Sequence, residues 1–305
     1  MRRSLPLSAL TFLAALAVTA PALAAGVPAH DHVIVIVMEN KPYATVANLP
    51  YTLSLRTGGA TLTNSFAVAH PSQPNYFALW AGNTMVTNDN CPAAGSPYPY
   101  ANLGNAIQTA GKTWRAYSEN LAVVGSTACS YDGSASTGLY TRKHDPWTYY
   151  SNVNHTNERP YTDLAIDIAN NALPNLVFVI PNNCHNSHNS TTAGCTAADA
   201  DTWLSQNVPQ MLQAAGPNGL VILTWDEDDN SASNHILTVF AGGRVIPGVV
   251  SNQNVNHYTV VRTICDALGL PAVGAAFSEL PITGIWNEVV PVAGQSWGRV
   301  KTIYR

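Results

Sequence analysis

The chain has 305 residues, 46% of them apolar, which is enough for one large domain with a substantial core. Only 10% are charged, against roughly 25% in an average soluble protein, and the net charge is −4. That balance gives no basic footprint for a nucleic-acid partner and no Lys/Arg block for an anionic membrane surface.

The N-terminus reads as an export leader. A short basic start, "MRRS", precedes the apolar run "LPLSALTFLAALAVTA" and the small-residue site "ALA" at 22–24. The run is short for a spanning helix, which needs about 20 apolar residues. We therefore expect cleavage near Ala24, a single domain over 25–305, and a mature protein secreted without an integral membrane segment. Five cysteines suit an oxidising compartment. The expected pairs are Cys91–Cys129 and Cys184–Cys195, with Cys265 left as a buried thiol on an amphipathic helix. A zinc site from Cys184, His185, His188 and Cys195 is the rival reading. Asn154 and Asn189 head Asn-x-Ser/Thr acceptor motifs.

In chain order, "HVIVIVM" (32–38) is a continuous β-branched run, as in a strand buried on both faces. Segments 176–181, 219–225 and 236–243 read the same way, and 113–119 reads as a weaker strand. Helical patterns fall between them at 102–111, 161–172, 199–216 and 257–270. Asp199 is a plausible cap of the third, and Pro209 a possible kink within it. Residues 83–157 read as loop elaboration, and 272–305 as an irregular capping tail. Strands alternating with helices predict an α/β fold with a mostly parallel central sheet.

Ligands of such sheets bind beyond the carboxyl ends of the strands. Glu39 and Asn40 follow the first strand, and "DEDD" (226–229) follows the strand at 219–225. Like charges gathered at one edge are costly unless a cation neutralises them, and a hard divalent ion with oxygen ligands would do so. Glu39, Asn40, Asp226 and Glu227 are thus candidate ligands; a solvated acidic loop is the alternative, and it is the reading for Asp228 and Asp229. Ser72, in "HPSQPNYFALWAG", lies where a helix should start. It is either a plain cap or a nucleophile beside the metal. His70, His185, His188, His235 and His257, with Asn186, lie at strand or helix ends on the same edge. The Gly-rich phosphate loop, the Gly-x-Ser-x-Gly elbow and the His-Glu-x-x-His helix are absent.

"HVIVIVMENKPY", "HPSQPNYFALWAG", "PNLVFVIPNNCHNSHN", "VILTWDEDDN", "NHILTVFAGG" and "NHYTVVRTICDALGLP" occur in that order over 32–271. The set resembles the phosphoesterase family of secreted acid phosphatases and bacterial phospholipases C, within the alkaline phosphatase-like superfamily. The resemblance implies an αβα sandwich with Ser72 as nucleophile. It implies a metal held by Glu39, Asn40, Ser72, Asp226 and Glu227. "KHDPW" (143–147) is similar to the family's "KHNPW", which adds His144 to His188 and His235 as catalytic candidates. His70, Asn75 and His257 are expected at the substrate. "HNSH" stands where the family has "NDMH", so Asn186 replaces an Asp and one divalent metal is expected rather than two. The implied activity is metal-dependent hydrolysis of phosphate monoesters through a phosphoserine. The alternatives are phospholipase C-type cleavage of lipid diesters and a secreted metal-binding or adhesion protein without catalysis.

Overall fold

A computed structural model describes residues 26–133, 138–188 and 194–287. The expected leader, Asn189 and the end of the tail lie outside the described residues. The chain runs β1 (His32–Met38), α1 (Tyr43–Val46), α2 (Pro50–Gly58), β2 (Ala60–Phe66), α3 (Ser72–Ala81), α4 (Leu103–Thr109) and β3 (Trp114–Ser118). A small hairpin follows, β4 (Ser130–Tyr131) and β5 (Tyr140–Thr141), then β6 (Glu158–Pro160), α5 (Thr162–Ala169), β7 (Leu176–Ile180) and α6 (Ala197–Ala215). The remainder is β8 (Gly219–Trp225), β9 (His235–Gly242), β10 (Val249–Ser251), β11 (Val255–Asn256) and α7 (His257–Leu268).

The main sheet has the order β10-β2-β9-β8-β1-β7-β3-β6, with β11 also on β2. All neighbours pair in parallel except β9, which runs antiparallel to both β8 and β2. β1 shows why its sequence is apolar without alternation. Val33, Val35 and Val37 face one core with Phe77, Trp80 and Ile264, while Ile34, Ile36 and Met38 face another with Leu204, Val208 and Met211. Each such side chain contributes about 1.5–3 kcal/mol by leaving water. Helices thus cover both faces of the sheet, as an αβα sandwich requires.

The five expected strands form within a residue or two of their expected bounds, and the four helices within about three, α5 ending at Ala169 rather than 172. Helix α6 starts earlier than expected, because Thr196 is the cap and Asp199 the reciprocal third residue of a capping box. Pro209 sits inside α6 without ending it. Strand β2 was not predicted. Its Ser65 joins a buried hydroxyl chain through Thr238 to Thr224, at 2.8 and 2.9 Å, so the sheet interior is locally polar and hydropathy misses it. Residues 83–157 hold the expected strand β3 and helix α4 among loops, with the unpredicted hairpin β4–β5, and the short β6 just beyond them joins the sheet beside β3.

Candidate active site

The register of β1 against β8 sets the site. Met38 pairs with Trp225, so Glu39 and Asp226 leave the sheet side by side. The Asp226 amide still bonds Met38 O at 2.8 Å, and the Asn40 amide bonds Asp226 Oδ1 at 3.1 Å. Asn40 adopts a left-handed φ of 45°, which asparagine tolerates better than most side chains. Ser72 opens α3, all of whose residues are buried. Gly82 closes α3 at φ 64°, where a Cβ would lie 2.3 Å from Val273 O.

Ser72 Oγ is 2.9 Å from Glu227 Oε1, 3.0 Å from Glu39 Oε2 and 3.4 Å from Asn40 Oδ1. His70 bridges Glu227 and Asp228, through Nδ1 to the former and Nε2, at 3.2 Å, to the latter. His144 Nε2 lies 3.1 Å from Glu39 Oε1, its Nδ1 lies 3.1 Å from Thr141 Oγ1, and its ring stacks on Tyr76. Lys143 binds Asp89 at 2.7 Å, and the other Asp89 oxygen accepts the Gln73 amide at the start of α3. His188 bonds Asn186 Oδ1 through its amide and lies close enough to Glu39 and His144 to perturb both.

The charges here are in conflict. Burial, then the Glu39 and Glu227 charges, push Asp226 well above the carboxylate range. Burial and then Glu39 push Glu227 up to about 8. Burial alone would raise Glu39 too, but His144, Lys143 and His188 outweigh it and hold Glu39 at about 2. Burial takes His144 down to about 4 despite Glu39 beside it, so its ring is neutral near pH 7. Lys143 is drawn down by burial, yet Glu39 and Asp89 leave it raised.

A divalent cation fits these residues. The Ser72 hydroxyl has one proton but three acceptor oxygens around it, and Asp226 Oδ2 is buried without a hydrogen-bond donor. A cation answers an excess of acceptors; an additional hydrogen bond cannot. The donors are all oxygen, suited to a hard ion. Among the described residues, no group of three or more His, Cys, Asp or Glu side chains already has metal-holding geometry.

The structure places three of the expected site residues away from the Ser72 hydroxyl. Asn75, expected at the substrate, is fully buried: its Oδ1 accepts the Val68 and Ala69 amides, and its Nδ2 donates to Ala69 O and Pro71 O. It braces the turn before Ser72. His257 is also buried and bonds the Asp226 carbonyl at 2.6 Å, so it supports the strand end from behind. His235 bonds Thr63 O at 2.8 Å and stacks on Tyr43, so it is tied to β2 and α1 rather than to the Ser72 cluster. Asp228, expected in solvent, is fully buried and accepts the amides of Asn230, Ala232 and Asn234. Asp229 is exposed, as expected. Both expected disulfides form and Cys265 is a buried thiol, which overturns the Cys2His2 zinc reading. Asn186 is buried and structural: its carbonyl takes the Glu39 amide and its side chain bonds Asn183. The sequence reading gave no role to Asp89, Thr141 or Tyr76; loop contacts bring them in, and no motif spacing marks them.

The comparisons with known proteins place the chain among hydrolases acting on phosphoric ester bonds. The chain belongs to the Phosphoesterase family, whose profile matches residues 43–271. It is similar to a phosphatidylinositol-3-phosphatase of Mycobacterium tuberculosis, at 38% identity over 87% of this chain and 86% of that protein. It is also similar to an acid phosphatase of Aspergillus fumigatus, at 30% identity over 78% of this chain and 54% of that one. Against a phosphate-repressible acid phosphatase of Penicillium chrysogenum it is 29% identical over 81% of this chain and 61% of that one. The chain therefore spans little more than half the length of these fungal relatives. A solved protein of the alkaline phosphatase superfamily from Vibrio parahaemolyticus shares the fold, with TM-score 0.59 and 10% identity over 83% of this chain and 71% of that one.

Proposed function

We propose that the chain is a secreted, metal-dependent phosphomonoesterase that works through a phosphoserine at Ser72. The observation that carries this reading is the convergence of Glu39, Asn40 and Glu227 on Ser72 Oγ. A divalent cation held by Glu39, Asn40, Ser72, Asp226 and Glu227 would favour the ionised serine and offset charge on the phosphoryl oxygens. Ser72 Oγ attacks phosphorus and gives its proton to Glu227, whose second oxygen His70 holds. The ester P–O bond breaks, and the alcohol leaves with a proton from a histidine. Besides His70, which holds Glu227, His144 and His188 lie near this cluster; His188 is half-buried and His144 buried, so His188 is the more open of these two to an incoming substrate. Water then cleaves the phosphoserine, which restores the hydroxyl and releases inorganic phosphate.

Monoesters are favoured because the similar proteins are named a phosphatidylinositol-3-phosphatase and acid phosphatases. An inositol-lipid phosphomonoester is a second candidate substrate, from the 38% similarity over most of both chains. Secretion is supported by the two disulfides and the apolar leader, and no helix among the described residues is long and apolar enough to span a membrane. The test compares p-nitrophenyl phosphate, an inositol-lipid phosphomonoester and phosphatidylcholine, with and without chelator. Phosphate release from a monoester is expected, lost to chelator and lowered by about 10⁴-fold or more in Ser72→Ala. Phosphocholine release would favour the diesterase, and unchanged hydrolysis by Ser72→Ala would end the covalent mechanism.

A further inference from the structure

The loop that brings Lys143 and His144 to the site is tied at both ends to one residue outside it. Tyr140, before the loop, donates its hydroxyl to Glu158 Oε1 at 3.1 Å. Asp145, after it, lies beside the same Glu158 carboxyl, close enough for the two charges to perturb each other, and Tyr140 stands beside both. Asp145 Oδ1 also accepts the Ser118 hydroxyl at 2.8 Å, which fixes the loop to the end of β3. The Asp145 carbonyl accepts the amide and hydroxyl of Thr148.

Asp145 and Glu158 are both fully buried. Their remaining oxygens, Asp145 Oδ2 and Glu158 Oε2, meet no N–H or O–H donor. Two ionised carboxylates in contact inside a protein repel, and a proton between them turns the repulsion into a hydrogen bond. The groups facing the pair agree with a single negative charge. Arg142 supplies one cation, itself held by Thr127 and Thr148, and Tyr76, Tyr140 and Tyr149 are phenols kept neutral by burial. His144, next in sequence, is neutral near pH 7.

We propose that Asp145 and Glu158 share one proton, and that this buried acid pair positions the Lys143–His144 loop against Glu39 and Ser72. The proposal rests on the reading of that loop as part of the phosphatase site. Both residues are positioning residues, acting through Lys143 and His144. The folded state holds a proton here that the unfolded chain, with ordinary carboxyl groups, does not. The contribution is therefore complete at acid pH and is lost as pH rises through the raised value of the pair. One proton gives at most a tenfold fall in the folding constant per pH unit.

The test measures chemical denaturation and kcat/KM of the full chain from pH 4 to 9, with Asp145→Asn, Asp145→Ala and Glu158→Gln beside the wild type. Asparagine at 145 can donate to an ionised Glu158, so the proton is no longer needed. We expect Asp145→Asn and Glu158→Gln to keep acid-side activity and extend the alkaline limb by a pH unit or more. Asp145→Ala should lose at least tenfold in kcat/KM at every pH. The infrared carbonyl band of the protonated acid should be weaker in Asp145→Asn than in wild type. Stability and activity curves of Asp145→Asn and Glu158→Gln that parallel wild type, with the band unchanged, would overturn the proposal. Should one of these two variants fail to fold, the other decides. A wild type without phosphatase activity at any pH would refute the site reading instead, and the stability curves and the band would still decide the pair.

Discussion

Asp201 and Asp226 are both buried aspartates, and their surroundings are opposites. Asp201, on α6, accepts the Tyr51 amide, the Thr52 amide and the Thr52 hydroxyl, at 2.7–2.8 Å, where α2 begins. Its charge is matched by donors. Asp226 lies among Glu39 and Glu227, and its Oδ2 is buried without a donor. A carboxylate wrapped in N–H and O–H groups ties two helices together. Asp226 Oδ1 does accept the Asn40 and Glu227 amides, but a carboxyl whose other oxygen meets only neighbouring carboxyls must take up a proton or a cation, and such a place is where chemistry is expected.

The sharpest way to break this comparison is to neutralise each aspartate. Asp226→Asn should lower kcat/KM by about 10²–10³-fold if the proposed cation is held there, because one proposed ligand and its charge are lost. In chelator the same variant should be more stable than wild type near pH 7 by about 1–3 kcal/mol, since the folded chain no longer has to protonate a buried carboxyl beside Glu39 and Glu227. Asp201→Ala should do the reverse. Three donors lose their acceptor, which costs about 2–4 kcal/mol in denaturant melts, while kcat/KM of the folded fraction holds. If both variants lose stability in chelator, the surroundings of Asp226 do not penalise its charge and the comparison fails.

The sequence shows one side of this contrast better than the other. β1 and β8 are legible because strands buried on both faces must be apolar throughout, and their parallel pairing carries Glu39 and Asp226 to one edge. Ser72 is legible because the prolines around it fix where α3 can begin. What sequence does not show is where a polar side chain points. Asn75 and His235 belong to the right motifs, yet one braces a turn and the other joins β2. Asp228 looked solvated within an acidic run, but the following turn folds back and gives it three amides. The donors of Asp201 lie about 150 residues away in sequence, so no local pattern announces them.

His257 joins the two kinds of environment, and its effect is the smallest at neutral pH. Its ring is buried, supports the Asp226 carbonyl and is pushed down by burial to about 4. An unfolded histidine titrates near 6.5, so between these values the unfolded chain holds a proton that the folded chain refuses. The stability linked to His257 is thus present above pH 6.5 and lost as pH falls through 4. The difference of roughly 2.5 pH units corresponds to about 3 kcal/mol. Glutamine can keep a donor near the carbonyl without titrating. His257→Gln should therefore match wild type within about 1 kcal/mol at pH 7.5 and be the more stable protein at pH 4, in denaturant melts with chelator. A wild type and a variant that decline in parallel from pH 7 to 4 would mean that the ring accepts its proton where it sits.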